Sequence, residues 1–432
     1  MNLSVFINAF KTPDVRNKLM FTLGMVVLYR LGASTPTPGV DFTAVNKCLA
    51  VVKSSSLLTI VNLFSGGALL KLSVFALGIM PYITASIILQ LLTVVIPRLE
   101  RLKDEGQAGQ QKITQYTRYL TIALAVLQST GIIALARTPG RLLTGCNYQL
   151  IPNQSVYTIL TMIICMTAGT AVVMWLGEMI TERGVGNGMS ILIFTSIISA
   201  LPGQFASVVT LHGWFAFTGV CVVGILLIIA VVFVEQAQRR IPVQYAKRMV
   251  GRKMYGGTST YIPLKVNMAG VIPVIFASSL LYIPVLVAQL SGSTAGWATW
   301  VQTTFSRGDN WSYLTAYFLL IVFFSFFYAE ITFDPYQVAE NTKKYGGFIP
   351  GIRPGKPTAE YLNYVLTRLE GAGSLYLATI ATLPFIGFGA LGVTQQFIFG
   401  GTSLLIVVGV GLDTVKQIES QLQQRSYEGF LR

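Results

Sequence analysis

Charged residues are scarce in this chain. Only 11% of its 432 residues are Asp, Glu, Lys or Arg, and 53% are hydrophobic, whereas about 25% of a soluble domain is charged. So few charged residues cannot cover the water-exposed surface of a folded chain of this length. The composition therefore excludes an ordinary soluble protein and predicts a protein that crosses a membrane several times.

Metal-binding side chains are also few. The chain has one histidine, His212, and four cysteines, and it lacks the clustered His and Cys ligands of a metal site. Cys165 and Cys221 lie in apolar runs and are expected to pack as small core residues. Cys48 and Cys146 fall in loops on the predicted outer side. A disulfide could join them there, but we expect unpaired cysteines. No metal ion or other cofactor is predicted.

Ionisable groups are almost missing from the middle of the apolar segments. Arg30, Glu178, Glu330 and Asp334 all lie near segment ends, whereas pumps and ion-coupled transporters place charged groups inside their spans. We also find no phosphate-binding loop and no nucleophile–base pair. These absences argue against a pump and against an enzyme.

Long apolar runs dominate what is present. Windows of about 19 residues predict ten transmembrane spans, and we expect no cleavable signal peptide before the first. The predicted spans are residues 18–36, 72–96, 114–136, 155–176, 186–202, 212–234, 267–290, 312–333, 371–392 and 397–415.

Basic residues predict the orientation of these spans. If the N-terminus is cytoplasmic, the cytoplasmic segments hold 24 of the 31 Lys and Arg residues, as the positive-inside rule requires. Both termini are then cytoplasmic. A split near residues 205–211 leaves five spans on each side. A repeat between the two halves would be inverted in the membrane, although the sequence contains no convincing internal repeat.

Residues 57–97 form an unusual apolar stretch. Its first part, residues 57–70, is too short to cross the hydrocarbon core, and Gly66 and Gly67 break it. Its second part, residues 72–96, is long enough but contains Pro81. Broken helices occur in membranes only where protein encloses them or where they line a cavity. We therefore expect a half-helix and then a full span, both enclosed by other helices.

Two predicted cytoplasmic loops are longer than a simple connection requires. Residues 235–266 carry seven basic residues against one acidic residue, and residues 335–370 are also rich in Lys, Arg, Tyr, Pro and Gly. A solvated loop near lipid headgroups would explain the charge. Two such loops favour a docking platform for a cytoplasmic partner.

Several long motifs complete the pattern. They are NLFSGGAL (62–69), FALGIMPYITASIILQLLTVV (75–95), TERGVGNGMSILIF (181–194), QRRIPVQYAKR (238–248), PLKVNMAGVIPVIFASS (263–279), GFIPGIRPGKPTAEYL (347–362) and GGTSLLIVVGVGLD (400–413). In these motifs, and in their order along the whole chain, the sequence resembles the SecY family of bacterial protein-conducting channels. The resemblance implies an all-α, polytopic membrane fold. Ten helices would form two pseudo-symmetric inverted halves, residues 1–205 and 206–432, with a short plug half-helix.

The resemblance also implies a hydrophobic pore ring. Its six members are Ile79, Ile83, Met189, Ile193, Ile275 and Ile406. Periodicity alone would assign each of these residues to ordinary helix packing. Met189 departs from the β-branched side chains that the family favours, and Met is more flexible. A narrow ring of such residues offers ions no hydrogen bonds and can exclude water.

A plug and a side exit follow from the same resemblance. Residues 57–70 correspond to the plug, whose members include Leu57, Ile60, Phe64, Gly66 and Gly67, and the two glycines would let it pivot. A lateral gate is implied between spans 2 and 7, with contributions from spans 3 and 8. Gln90 and Asn267 are the polar residues that border it. Interhelical hydrogen bonding is a second role that both residues could have.

The two basic loops resemble the docking site for the ribosome and for the motor ATPase SecA. The matching residues are Arg239, Arg240, Lys247, Arg248 and Arg353, and Arg and Lys suit the phosphates of ribosomal RNA. The other implied partners are SecE and SecG homologues, signal peptides, nascent chains and membrane lipids. The implied location is the bacterial plasma membrane.

These observations together predict a passive, gated conduit for unfolded secretory polypeptides. It would release signal sequences and membrane segments sideways into lipid, and its partners would supply the energy. Two alternatives remain. A secondary transporter of a small solute could use inverted repeats, although the scarcity of intramembrane charge disfavours it. An insertase-like scaffold without a pore is the other.

Overall fold

A computed structural model describes most of the chain. It covers residues 12–51, 65–137, 148–245, 248–250, 253–255, 259–291, 296–305, 310–390 and 401–428. Its helices are α1 (Pro13–Ser34), α2 (Phe42–Val51), α3 (Met80–Val95), α4 (Pro97–Asp104), α5 (Gln107–Arg137), α6 (Val156–Arg183), α7 (Gly188–Thr210), α8 (Gly213–Gln236), α9 (Ile272–Ser291), α10 (Gly296–Phe305), α11 (Trp311–Thr332), α12 (Pro335–Lys344), α13 (Lys356–Ala390) and α14 (Gly401–Glu428).

A helix occupies each of the ten predicted spans. Within the described residues, five helical segments are individually long and apolar enough to cross a membrane, and α3 with α4, bent by 105°, would make a sixth. The five are Gln107–Arg137, Val156–Arg183, Gly188–Thr210, Gly213–Gln236 and Trp311–Lys344. The remaining predicted spans correspond to α1, α9, α13 and α14.

The second predicted span is shorter than expected. We expected a helix over residues 72–96 with Pro81 inside it, but α3 begins at Met80, and mostly turns occupy residues 65–79. Pro81 therefore lies in the first helical turn, where its missing N–H leaves no intrahelical bond unmade. Leu72 and Gly78 adopt positive φ angles of 48° and 55°, which interrupt a right-handed helix.

The boundary between α7 and α8 is a sharp break at Gly213, where φ is 78° and ψ is 178°. A residue with a side chain rarely adopts this conformation. The break lies just beyond residues 205–211, where the sequence predicted the division between two halves. The division itself remains a prediction.

The two basic loops contain a small β-sheet that we did not predict. Its strands follow the order β4–β1–β5, where β1 is Gln238–Tyr245, β4 is Ser259–Lys265 and β5 is Gly347–Phe348, and both pairs are antiparallel. A separate hairpin joins β2 (Arg248–Val250) to β3 (Lys253–Tyr255). Because β1 and β5 come from different loops, the sheet unites residues 235–266 and 335–370 in one body.

The sheet packs on its own apolar core. Ile241 and Val243 alternate with exposed residues along β1, as in a strand with one buried face. They join Leu264 of β4, Ile349 after β5, and Leu362 of α13 in a buried cluster. This core holds the loops against the first turns of α13.

Cys48 corrects the expectation that the loop cysteines are unpaired. Its side chain is buried in α2 and is disulfide-bonded, whereas Cys165 and Cys221 are free. Cys146 lies outside the described residues. A disulfide forms on the oxidising side of a membrane, which agrees with the predicted outer position of α2.

Asp41 precedes this helix, and hydrogen bonds from the Thr43 hydroxyl and the Ala44 amide lower the pKa of its carboxyl.

Candidate functional site

One apolar cluster contains all six residues of the predicted pore ring. Ile79, Ile193, Ile275 and Ile406 are buried within it, and Ile83 and Met189 are partly buried against it. The six side chains come from the start of α3 and from α7, α9 and α14. The cluster therefore brings together residues from both predicted halves of the chain.

The starts of helices position these side chains. Ile79 is the N-cap residue of α3, and Pro81 stands in the first turn. Asn187 caps α7, where its side-chain oxygen accepts a hydrogen bond from the Met189 amide over 3.1 Å. Ile275 lies in the first turn of α9, and its amide bonds to Val271. Several helix ends thus converge on the cluster.

A cavity of about 460 Å³ opens beside the cluster. Ile83, Met189, Ile193 and Ile275 form part of its wall. Ile87, Ile272 and Phe276 add further apolar wall. The remaining lining is polar and includes Tyr82, Gln90, Thr114, Arg118, Glu178, Glu182 and Asn187. The site thus combines a cavity of mixed polar and apolar lining with an adjoining apolar cluster.

The polar wall contains an ion pair that sequence reasoning missed. Arg118 of α5 donates from Nε and Nη2 to the two carboxylate oxygens of Glu178 of α6, each over 2.8 Å. This two-point geometry fixes both side chains more firmly than a single contact does. The two residues are 60 positions apart, so no local sequence pattern reveals the pair.

A second cavity, of about 710 Å³, lies between α3, α4 and α5 on one side and α11 on the other. Gln90 lines this cavity as well as the first one. At its edge, Lys103 of α4 donates from Nζ to the backbone oxygen of Ile331 in α11, over 3.3 Å. This hydrogen bond spans the two predicted halves at the position where spans 2, 3 and 8 meet.

The structure does not bring Asn267 into these cavities beside Gln90. Asn267 lines a neighbouring cavity of about 340 Å³. Its Nδ2 donates to Glu235 at the end of α8, over 3.1 Å, and to the Gly270 backbone oxygen, over 3.2 Å. Glu235 is the only acidic residue among residues 235–266, which carry seven basic residues. This isolated acidic residue is the feature of the sequence that could have indicated a specific hydrogen-bond partner.

The predicted plug is described only at its end. Leu57, Ile60 and Phe64 lie outside the described residues. Gly66 and Gly67 adopt positive φ angles of 66° and 88°, so the chain turns sharply at both. Residues 65–70 form turns instead of the half-helix that we expected over 57–70.

The predicted docking residues lie on and beside the three-stranded sheet of β4, β1 and β5. Arg239 and Arg240 are exposed in β1, and the Arg240 guanidinium lies 5.8 Å from the centre of the Tyr261 ring. Arg248 begins β2, and Lys247 lies outside the described residues. Arg353 is exposed, and its backbone oxygen accepts a hydrogen bond from the Thr358 hydroxyl over 2.8 Å. The structure thus brings Arg353 and β1 onto one packed body.

Among the described residues, no group of three or more His, Cys, Asp or Glu side chains is placed so that it could hold a metal ion.

Comparisons with known proteins agree on one family. The family model described as SecY matches residues 73–415. Two curated relatives carry the description protein translocase subunit SecY. One, from Streptomyces scabiei, is 64% identical over 437 residues, and the other, from Mycobacterium bovis, is 59% identical over 441 residues. Each alignment covers the whole of both chains.

Solved structures give the same fold. A structure described as a protein conducting channel superposes with a TM-score of 0.62 at 17% identity, covering 93% of this chain and 91% of that chain. Sec61 in a canine ribosome-channel complex superposes with a TM-score of 0.59 at 16% identity, covering 93% and 91%. These similarities confirm the predicted all-α, polytopic membrane fold.

Proposed function

The chain belongs to the SecY family, and we propose that it forms the channel through which a protein translocase moves unfolded polypeptides across a membrane. One observation carries the proposal. Six side chains from four separate parts of the sequence meet in one apolar cluster beside a partly polar cavity of about 460 Å³. A constriction between aqueous chambers has this composition.

The cluster acts as the seal of the channel. Its aliphatic side chains offer no hydrogen bonds to replace the hydration of an ion, so a narrow passage through them excludes water and ions. A polypeptide can still pass, because the side chains contact it without binding it at specific positions. The six positions Ile79, Ile83, Met189, Ile193, Ile275 and Ile406 form this ring.

The segment that ends at Gly66 and Gly67 serves as the plug on the outer side of the ring. The left-handed conformations of both glycines support a hinge there. When a chain enters, the plug swings away from the ring. This mechanism includes no covalent step by the plug or the ring, and we propose no enzymatic activity.

The groove between α3, α5 and α11 forms the cytoplasmic part of the lateral gate. Its volume of about 710 Å³ and its position between the two halves support this role. Signal sequences and membrane segments leave through the gate into lipid. Gln90 borders the groove directly. Asn267 acts indirectly, because its hydrogen bonds to Glu235 and Gly270 hold the end of α8 near the start of α9.

The cytoplasmic sheet is the docking platform. Its exposed arginines, Arg239, Arg240 and Arg353, support contacts with a ribosome and with the motor ATPase SecA, and Arg side chains pair well with phosphates and carboxylates. SecE and SecG homologues complete the complex in the bacterial plasma membrane. Both termini lie in the cytoplasm, and the disulfide at Cys48 supports the outer position of α2.

Ring substitutions test the seal. We expect Ile83→Asn and Ile406→Asn to raise the ion leak of the purified complex in planar bilayers and to relax signal-sequence stringency, because an amide in the ring holds water. Ile406→Val keeps an apolar branched side chain and should keep the seal, at a cost of about 1 kcal/mol in stability. Ile164→Asn, on the exposed face of α6, is the matched control. Wild-type conductance in both Asn ring variants would count against the proposal.

A further inference from the structure

Glu370 of α13 is a buried acid that the mechanism above does not use. Only 2% of its surface is exposed, and its Oε1 accepts a hydrogen bond from the hydroxyl of Ser325 in α11, which is fully buried. Its second carboxyl oxygen, Oε2, is buried and has no hydrogen-bond partner among the described residues. Within the described part of the chain, a single hydroxyl is therefore the only polar partner of this acid.

No basic side chain compensates Glu370. The ion pairs that the described residues form do not include it. Within one turn on its own helix, the only titratable residue is Arg368, which is exposed and lies over the Tyr364 ring, 5.1 Å from its centre. Within one turn of Ser325 on α11, the only titratable residue is Tyr328. The two facing helices thus bring no charge to the carboxyl.

The other elements that pack on α13 do not supply a partner either. Glu235 of α8 accepts its hydrogen bond from Asn267, and Lys265 of β4 pairs with Asp413 of α14. The remaining charged residues of these elements that the structure describes are exposed to solvent, and they are Arg239 and Arg240 of β1, Glu340, Lys343 and Lys344 of α12, and Lys416 and Glu419 of α14.

A charged carboxylate would be strongly unfavourable in this position. A buried charge needs an opposite charge or several hydrogen bonds, and a carboxyl without them takes up a proton instead. The neutral acid leaves one O–H group without a partner, which costs less than an uncompensated charge. The burial of Glu370 and its single hydroxyl partner therefore favour the neutral acid.

The two helices that meet at Glu370 belong to two different proposed sites. α11 contributes Tyr328 to the wall of the groove of about 710 Å³, one turn after Ser325. α13 contributes Leu362 and Val365 to the core of the three-stranded sheet. The pair of Glu370 and Ser325 thus lies between the sheet core and the groove wall, and a change in its packing would move one relative to the other.

We infer that Glu370 is a proton-binding site in the interface between α11 and α13. With the proton bound, the neutral acid and Ser325 hold the two helices in contact. Loss of the proton to water leaves a carboxylate with one donor, so the helices separate enough to hydrate it. The proton site itself is independent of the proposed function, whereas its effect on the groove rests on that function.

Infrared spectroscopy of the complete translocase tests the bound proton directly. A neutral carboxylic acid has a carbonyl absorption that is separate from the absorptions of a carboxylate. We expect Glu370→Gln to lower this absorption at neutral pH by the intensity of one carboxyl group per chain, while its amide oxygen still accepts the Ser325 hydrogen bond. Glu360→Gln removes an exposed acid of the same helix and should leave the absorption unchanged.

Distance measurements test the effect of the proton on the helices. Spin labels attached through Phe323→Cys and Leu375→Cys, at exposed positions of α11 and α13, report the separation of the two helices. As the pH is raised from mildly acidic to mildly alkaline, the distance should lengthen in the labelled chain that retains Glu370, because the acid loses its proton. Glu370→Gln cannot ionise and should keep a constant distance, whereas Glu360→Gln should behave like the chain with Glu370.

Ser325→Ala adds a readout that a merely structural role would not move. It removes the one donor that stabilises the carboxylate, so the change in distance should shift to higher pH. A shift to lower pH in this variant would contradict the inference.

Two results would overturn the proton site. One is an infrared spectrum of Glu370→Gln identical to that of the wild type, because Glu370 would then carry no proton. The other is a pH-dependent distance that persists in Glu370→Gln, because another group would then cause it. Conductance of Ile83→Asn decides the channel separately, so failure of the proton site and failure of the proposed function are distinguishable.

Discussion

At the scale of single residues, the position of the Met189 side chain depends on the absence of a side chain at Gly177. The Met189 sulfur packs over Gly177 of α6, in the space that a β carbon on Gly177 would occupy. The backbone oxygen of Gly177 in turn abuts Gly188 so closely that a side chain there would overlap it. Small residues at both positions let α6 and α7 approach, and they leave a pocket that receives the one ring member that is not isoleucine.

Gly177→Ala should therefore move Met189. The new methyl group would displace the flexible end of the Met189 side chain from α6 toward the cavity of about 460 Å³. We expect the overall stability to change by no more than about 1 kcal/mol, because Ala favours the helix and offsets the repacking. NMR of methionine methyl groups should detect the move as a changed chemical shift for Met189. The control is Gly24→Ala, where a Cβ would meet nothing within 4 Å, and an unchanged Met189 resonance in Gly177→Ala would contradict this account.

Sequence reasoning reached individual residues by different routes. The six residues of the proposed ring were predicted from the resemblance alone, because their apolar spacing matches ordinary packing. Arg118 pairs with Glu178, and Asn267 pairs with Glu235. Neither pair could be predicted. Arg118 and Glu178 lie in different helices 60 positions apart, and Asn267 lies in the loop before α9, 32 positions from Glu235.

At the scale of secondary structure elements, the three-stranded sheet joins two loops that the sequence analysis treated as separate. β1 pairs with β4 on one edge and with β5 on the other, so a partner that contacts Arg353 also contacts a body rooted in α8 and α9. The residue that follows β4 leads into Asn267, whose amide reaches Glu235. A short, hydrogen-bonded path therefore links the proposed docking surface to α9, a helix of the proposed gate.

Arg353→Glu should separate docking from folding. Reversing this exposed charge removes a contact for SecA while leaving the sheet core intact, so we expect loss of SecA-driven export from inverted vesicles with normal membrane insertion of the variant. Lys356→Glu, three residues away and also exposed, tests whether any reversed charge in the loop has this effect. The docking assignment would be refuted by normal export in Arg353→Glu.

The positions of elements were easier to predict than their limits. Apolar length alone located every predicted span on a helix, because a span must satisfy its backbone internally. The start of α3 was misjudged, since the same apolar residues continue through the turns before Met80. The strands were overlooked because the basic residues of QRRIPVQY concealed an alternation in which Ile241 and Val243 are buried.

At the scale of the whole molecule, the proposed ring lies where the two predicted halves meet. Helices from both halves contribute to its cluster, and the groove between α3, α5 and α11 runs along the same division. Composition predicted a membrane protein without transport chemistry in its spans. Only the family resemblance predicted the conduit, since an apolar constriction has no sequence pattern that differs from a packed core.

The central claim is that a translocating polypeptide passes through the six-residue cluster. A secretory chain stalled during transport should be probed with a photoreactive benzoylphenylalanine placed in turn at Ile79, Ile275, Ile164 and Leu226. The first two positions are buried in the cluster, and the last two are exposed on the outer faces of α6 and α8. We predict crosslinks to the stalled chain from Ile79 and Ile275 only. Crosslinks from Ile164 and Leu226, with none from the two cluster positions, would contradict the account.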